Sequence, residues 1–149
     1  MIVLATIFIS FSVFADNHNS SAATEVKNAT IAFNKAYETN DVEGYFNMYA
    51  DDAMLYFYGN RSEVSTYHEY WKTTVVEAGG GVEKNMQSDL QVKVTSGGDT
   101  AVTAYFVENR SRSPEGEINE EKAYESDVWQ KIDGVWKIIS LHYSVIPPE

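Results

Sequence analysis

The stretch that decides the fold is Ser126-Asp-Val-Trp-Gln-Lys-Ile-Asp-Gly-Val-Trp-Lys-Ile-Ile-Ser-Leu-His-Tyr-Ser-Val-Ile-Pro147. Two β-rich runs flank Asp133-Gly134, a dipeptide suited to the positive φ angles of a two-residue hairpin turn. The turn brings Trp129 and Trp136 onto neighbouring strands. An aromatic hairpin this long needs a large curved sheet to pack against, so it constrains architecture first and function little.

Working outward, the 149 residues suit one domain with a real core. Met1–Ala15 carries no charged side chain, ends in Val13-Phe14-Ala15 and precedes the polar run Asp16–Ser21. This pattern predicts a signal peptide over 1–15, a polar tail over 16–21 and the folded domain over 22–149. The apolar run is shorter than the ~20 residues of a bilayer span. A secreted or periplasmic protein, free of the membrane after signal cleavage, is therefore expected. The formal charge of −11 disfavours nucleic acid and anionic lipid as partners, which require a positive field. With no cysteine, disulfides, thiolate metal sites and thiol nucleophiles are excluded. Asn19, Asn28, Asn60 and Asn109 each begin an Asn-X-Ser/Thr triplet, relevant only in a glycosylating host.

Helical spacing over Ser21–Asn40 places Val26, Ala29, Phe33, Ala36 and Tyr37 on one face. Asn40-Asp41 then offers an N-cap for a second helix through Val42, Tyr45, Phe46 and Tyr49, closed by Asp51-Asp52. A short strand is expected at Ala53–Tyr58. A third helix should begin near Ser62–Ser65 and run through Val75 to Gly79-Gly80-Gly81. Strands over Glu83–Thr95 and Thr100–Ser111 precede the closing hairpin. Helices beside a run of antiparallel strands make an α+β domain. Thr100–Val107 is apolar in both alternating sets, as befits a strand lying between the helices and a second subunit.

This order, with Asn40-Asp41-Val-Glu-Gly-Tyr-Phe-Asn-Met-Tyr-Ala-Asp-Asp52 and the hairpin, resembles the NTF2-like (SnoaL-like) superfamily. Within it the chain looks most like the association domain of calcium/calmodulin-dependent protein kinase II. Ala104-Tyr105, Val128-Trp129, Asp133-Gly134, Trp136, His142 and Ser144 carry that likeness. The resemblance implies a cone of helices on a strongly curved antiparallel sheet, at least a homodimer, and an oligomer-forming module without a kinase domain. It also implies a pocket between sheet and helices, in which that family has three arginines. The matching positions here are Val107, Asp127 and Tyr143, so anion binding by that means is not expected. The steroid isomerase branch is a second likeness, through Met48-Tyr-Ala-Asp-Asp-Ala53. Its proton-moving positions match Phe33 and Phe57 or Tyr58, and phenylalanine cannot move a proton.

Asp127 is a candidate base if burial raises its pKa; otherwise it is a strand-end carboxylate paired with water or lysine. Tyr143 and Tyr58 are candidate proton-moving partners, although a tyrosine pKa near 10 makes a poor base at neutral pH. Tyr56, Tyr67, Trp71, Tyr105, Val107 and Trp129 are candidate ligand contacts. Aromatics with polar tips suit a pocket for a small apolar or aromatic ligand, and suit a plain core equally. His142 is expected on an outer, subunit-contacting face with Val102, Ala104, Phe106 and Ile138. His68 has no assigned face. No His, Asp and Glu cluster has metal-ligand spacing, no Gly-rich phosphate loop precedes a helix, and no cofactor is expected. Two functions stay open: an exported oligomerising domain that binds a small ligand or serves assembly, and a small cofactor-independent enzyme of the polyketide cyclase, isomerase or dehydratase kind.

Overall fold

The computed structural model describes residues 12–148. Most of the expected signal segment lies outside the described residues. Helix α1 (Ser12–Glu38) is followed by α2 (Val42–Phe46), strands β1 (Tyr49–Phe57) and β2 (Asn60–Ser62), then α3 (Val64–Glu69), which continues as a π-helical stretch over Tyr70–Val76. Four long strands complete the chain: β3 (Gly81–Val94), β4 (Thr100–Arg112), β5 (Ile118–Ile132) and β6 (Val135–Val145). Asp16–Ser21, expected as a tail, forms early turns of α1. Among the described residues no helix is long and apolar enough to cross a membrane.

The expected α+β architecture holds. One curved sheet has the order β2-β1-β6-β5-β4-β3, with the helices packed on its inner face. One pairing differs from a purely antiparallel sheet, because β1 lies parallel to β6. Asp133 and Gly134 have φ of 49° and 83° and form the two-residue turn, with Ile132 opposite Val135. Trp129 and Trp136 both face inward and are buried. The hairpin is tied to α1 through Glu25, which accepts from Lys131 Nζ at 2.6 Å and Trp136 Nε1 at 2.8 Å.

Asp41 caps α2 by accepting from the Gly44 amide at 3.0 Å. Its neighbour Asn40 clamps the start of β3, accepting from Val82 N at 2.8 Å and donating to Val82 O at 2.9 Å. That approach requires Gly81, where a Cβ would lie 2.5 Å from Asn40 Oδ1.

Two expectations fail at β-bulges. Asp51-Asp52 does not close α2; it lies inside β1, where the register with β6 shifts between Tyr49 and Met54. Ile138 does not lie on the outer face. Val128 pairs with Ser140 and Trp129 with Ile138, so Ile139 is surplus. A surplus residue reverses which face the following side chains occupy. Trp136 and Ile138 therefore point inward before it, and Leu141 and Tyr143 point inward after it. His142 is exposed on the outer face, as expected.

The core joins Val26, Phe33 and Ala36 of α1 to Tyr45, Tyr49, Leu55, Trp129, Ile138 and Leu141. Phe33 is its hub, stacked on Tyr45 at 4.6 Å and edge-on to Trp129 at 6.1 Å. Apolar packing fills the narrow end, near the hairpin turn. Toward the other end of the cone the packing opens.

Candidate ligand cavity

The opening is a cavity of about 400 Å³. Its inner end is Phe33, Asn34 and Tyr37 of α1, Asn85 of β3, Val107 of β4 and Glu125 of β5. Tyr45, Tyr67, Tyr70 and Trp71 form the helical side, and Phe57, Tyr58, Glu121 and Tyr143 complete the lining. Tyr67, Tyr70 and Trp71 share one side of α3 and its π-helical continuation because they are three and four residues apart. Trp71 stacks on Tyr37 at 5.4 Å.

At the inner end, Asn85 donates to Asn34 Oδ1 at 2.9 Å, and Asn34 donates to Thr30 O at 3.1 Å. At the mouth, Tyr58 and Tyr143 both donate to Glu121 Oε1, at 2.8 and 2.9 Å. Partial burial, reinforced by Glu121, pushes both phenols up, so they remain neutral donors. Neither is a base at neutral pH.

Behind the wall lies a buried polar chain. Trp129 Nε1 donates to Thr103 Oγ1 at 3.1 Å, and Thr103 donates to Asp127 Oδ2 at 3.1 Å. The Tyr105 hydroxyl lies 2.9 Å from Asp127 Oδ2 and in close contact with Glu125 Oε1. One hydroxyl has one hydrogen. When it points at one carboxylate, the other carboxyl must bring its own proton. Burial pushes Asp127 up to about 7 against the opposing Tyr105 and Thr103 donors. Burial, with the Asp127 charge beside it, raises Glu125 well above the ordinary carboxylate range. Near neutral pH the pair thus holds at least one proton: Glu125 supplies it to Tyr105, and Tyr105 donates to Asp127.

Tyr105→Phe removes the shared hydroxyl. It is expected to cost about 2 kcal/mol at pH 8, where Asp127 is an anion, and about 1 kcal/mol at pH 5, where the bond is neutral. Urea denaturation at the two pH values checks this. Equal losses would contradict the shared-proton arrangement.

Of the residues singled out from sequence, Tyr58, Tyr67, Trp71, Val107 and Tyr143 line the cavity. Four do not. Asp127 is on the inward face of β5 but wholly buried beneath Tyr105, and its Oδ1 has no partner among the described residues. Tyr105 itself is one layer behind the wall, touching it through Glu125. Trp129 is core. Tyr56 alternates outward between Leu55 and Phe57 and is 40% exposed. His68 stacks on Phe46 at 4.5 Å, away from the cavity lining. The two carboxyls that do reach the cavity, Glu121 and Glu125, escape sequence reading. Both share the inward parity of Asp127 on β5, so extending that alternation toward the strand's start would find them. Among the described residues no acidic or histidine cluster could hold a metal.

The family model of the calcium/calmodulin dependent protein kinase II association domain matches residues 22–147. Several solved structures share the fold at 20% identity. An NTF2-like protein from Cytophaga hutchinsonii aligns with a TM-score of 0.70, over 81% of this chain and 95% of that one. The association domain of C. elegans CaMKII gives 0.65 over 86% and 98%. A ketosteroid isomerase-like protein from Erwinia carotovora atroseptica gives 0.68 over 85% and 97%. No curated protein matches the chain.

Proposed function

Because the chain belongs to the calcium/calmodulin-dependent protein kinase II association domain family, we propose that it is an exported, oligomerising domain that holds a small apolar or aromatic ligand in its cone. The observation that carries the ligand reading is the cavity of about 400 Å³ among aromatic walls. Its volume is within the range of small-molecule sites, and its few polar groups converge at two places. Export is supported by the uncharged Met1–Ala15 run.

Self-association is supported by the outer face of the sheet. There Val102 lies opposite Val128, and Phe106 opposite Tyr124. Val102 and Tyr124 are 44% and 62% exposed. Such contiguous exposed apolar surface is characteristic of an interaction face. Size-exclusion chromatography with light scattering at micromolar concentration should give at least a dimer, and Val102→Glu with Tyr124→Glu should give a monomer. A monomeric wild type would end the assembly reading.

The ligand reading is tested with the neutral fluorophore N-phenyl-1-naphthylamine. Its emission should rise on binding the native protein, and Val107→Trp, which fills the cavity, should abolish the rise. No enhancement with the wild type would end this reading.

A second reading, proton-transfer catalysis, is supported by Glu125, a buried carboxyl with a raised pKa on the cavity wall. In that case Glu125 is the acid or base and Tyr105 and Asp127 hold its proton. Turnover retained in Glu125→Gln would exclude that role.

A further inference from the structure

We infer that the cavity takes an organic cation, a trimethylammonium or similarly capped amine attached to an apolar body. The inference rests on the ligand-binding reading above and deepens it to a chemical class.

Three observations lead there. First, among the described residues the lining has two carboxyl groups, Glu121 and Glu125, and no lysine, arginine or histidine. An anionic ligand would meet no opposite charge, and the formal charge of −11 draws cations toward the protein.

Second, the rings are the kinds whose faces attract cations. Tyr37, Tyr58, Tyr67, Tyr70, Trp71 and Tyr143 all border the space. A desolvated ammonium is held by the negative face of such rings, and cages of this composition recognise quaternary ammonium groups. Glu125 adds a carboxyl oxygen whose partial negative charge borders the cavity. It is 9% exposed, it lines the cavity, and among the described residues its side-chain hydrogen-bond partner is Tyr105, on Oε1 alone. Its other oxygen is left without a donor.

Third, Tyr58 is held where a tyrosine is disfavoured. Tyr58-Gly59 is the two-residue turn between Phe57 and Asn60, with φ of 51° and 76°. The chain makes the same kind of turn with Asp133-Gly134, using the residue the conformation favours. A bulky residue in the left-handed region marks a position where the side chain serves something other than the backbone. Here the side chain places a ring at the cavity mouth, 6.0 Å from that of Tyr143, with its hydroxyl on Glu121. The two rings and Glu121 together form a mouth of the composition a cation requires.

The test uses three para-substituted phenols in isothermal titration calorimetry with the full chain: 4-hydroxyphenyltrimethylammonium, its neutral isostere 4-tert-butylphenol, and the anionic 4-hydroxybenzoate. The ammonium compound should bind at least about tenfold more tightly than the isostere, and the benzoate should not bind measurably. Glu121→Gln, a change at the mouth that leaves the core intact, should weaken the ammonium compound about fivefold or more and leave the isostere unchanged. Equal binding of ammonium and isostere, or preference for the benzoate, would overturn the cation class while binding of N-phenyl-1-naphthylamine still upheld the pocket. Failure of all three phenols and of the fluorophore would overturn both. An equal loss of both ligands in Glu121→Gln would overturn the role of the mouth carboxylate.

Discussion

Stability falls by roughly 4 kcal/mol between about pH 4 and pH 8 through Asp127, and that part of the fall is absent from Asp127→Asn. The carboxyl is pushed from an ordinary 3.8 up to about 7 in the folded protein. A group with a raised folded pKa binds its proton more tightly when folded. Its stabilising contribution is therefore complete below the unfolded pKa and is lost as pH rises through the folded one. At about 1.4 kcal/mol for each pH unit between those values, the loss amounts to roughly 4 kcal/mol, complete just above pH 7. Glu125, raised in the same direction, adds to the fall over the same range and carries it to higher pH.

Glu25, Glu38 and Glu83 are held below the ordinary range by hydrogen bonds from Lys131, Lys35 and Arg110 respectively. They act in the opposite sense, but they lie toward the surface, where screening leaves little. They are also common to both proteins, so the difference between wild type and Asp127→Asn reports on the buried pair of Asp127 and Glu125. Asparagine keeps an acceptor for Thr103 and Tyr105, but its amide replaces Oδ1, which has no partner. The variant is therefore the less stable protein at pH 4 and the more stable one at pH 8. Urea denaturation at fixed protein concentration across this range measures both curves. Parallel curves would contradict the buried titration.

Trp129→Ala is expected to lower stability by about 4 kcal/mol. Trp129 is wholly buried and edge-on to Phe33. Truncation opens a cavity at the narrow end of the cone that the strands on either side cannot close. It also removes the indole donor to Thr103, the residue that supports Asp127. Trp129→Phe retains most of the ring and should cost about half as much. Since a domain of this size is stable by only about 5–15 kcal/mol, the alanine variant lies near the limit of folding. Thermal and urea unfolding of both variants check the ranking. A loss below about 1 kcal/mol for alanine would mean that the tryptophan is not a core element.

The architecture is legible in the sequence because its decisive elements are local. Asp-Gly specifies its turn through backbone conformation, and Val26, Phe33, Ala36 and Tyr37 declare their helix through spacing. The short β2 is not legible, because three residues carry no measurable alternation. The site is less legible for a physical reason. Alternation along β5 identifies the inward face but not depth, so it puts Asp127 and Trp129 on the correct side and at the wrong level. Depth depends on where α1 crosses the sheet, which no local pattern records. Ile138 is misplaced by alternation because a bulge breaks the pattern without any marker such as glycine or proline. The Tyr105 bridge between Glu125 and Asp127 spans sequence separations of 20 and 22 residues. It exists only once β4 and β5 are in register.

The surplus residue Ile139 has a wider consequence. A strand of strict alternation would have to choose between presenting Trp136 and Ile138 to the interior and presenting Leu141 and Tyr143. The bulge acts as a phase converter that permits both. It lets one strand give Trp136, Ile138 and Leu141 to the core and Tyr143 to the chamber wall. A change at Tyr143 can then retune what the chamber recognises, while the residues that hold the cone together are left alone. One scaffold separated in this way can serve many ligands.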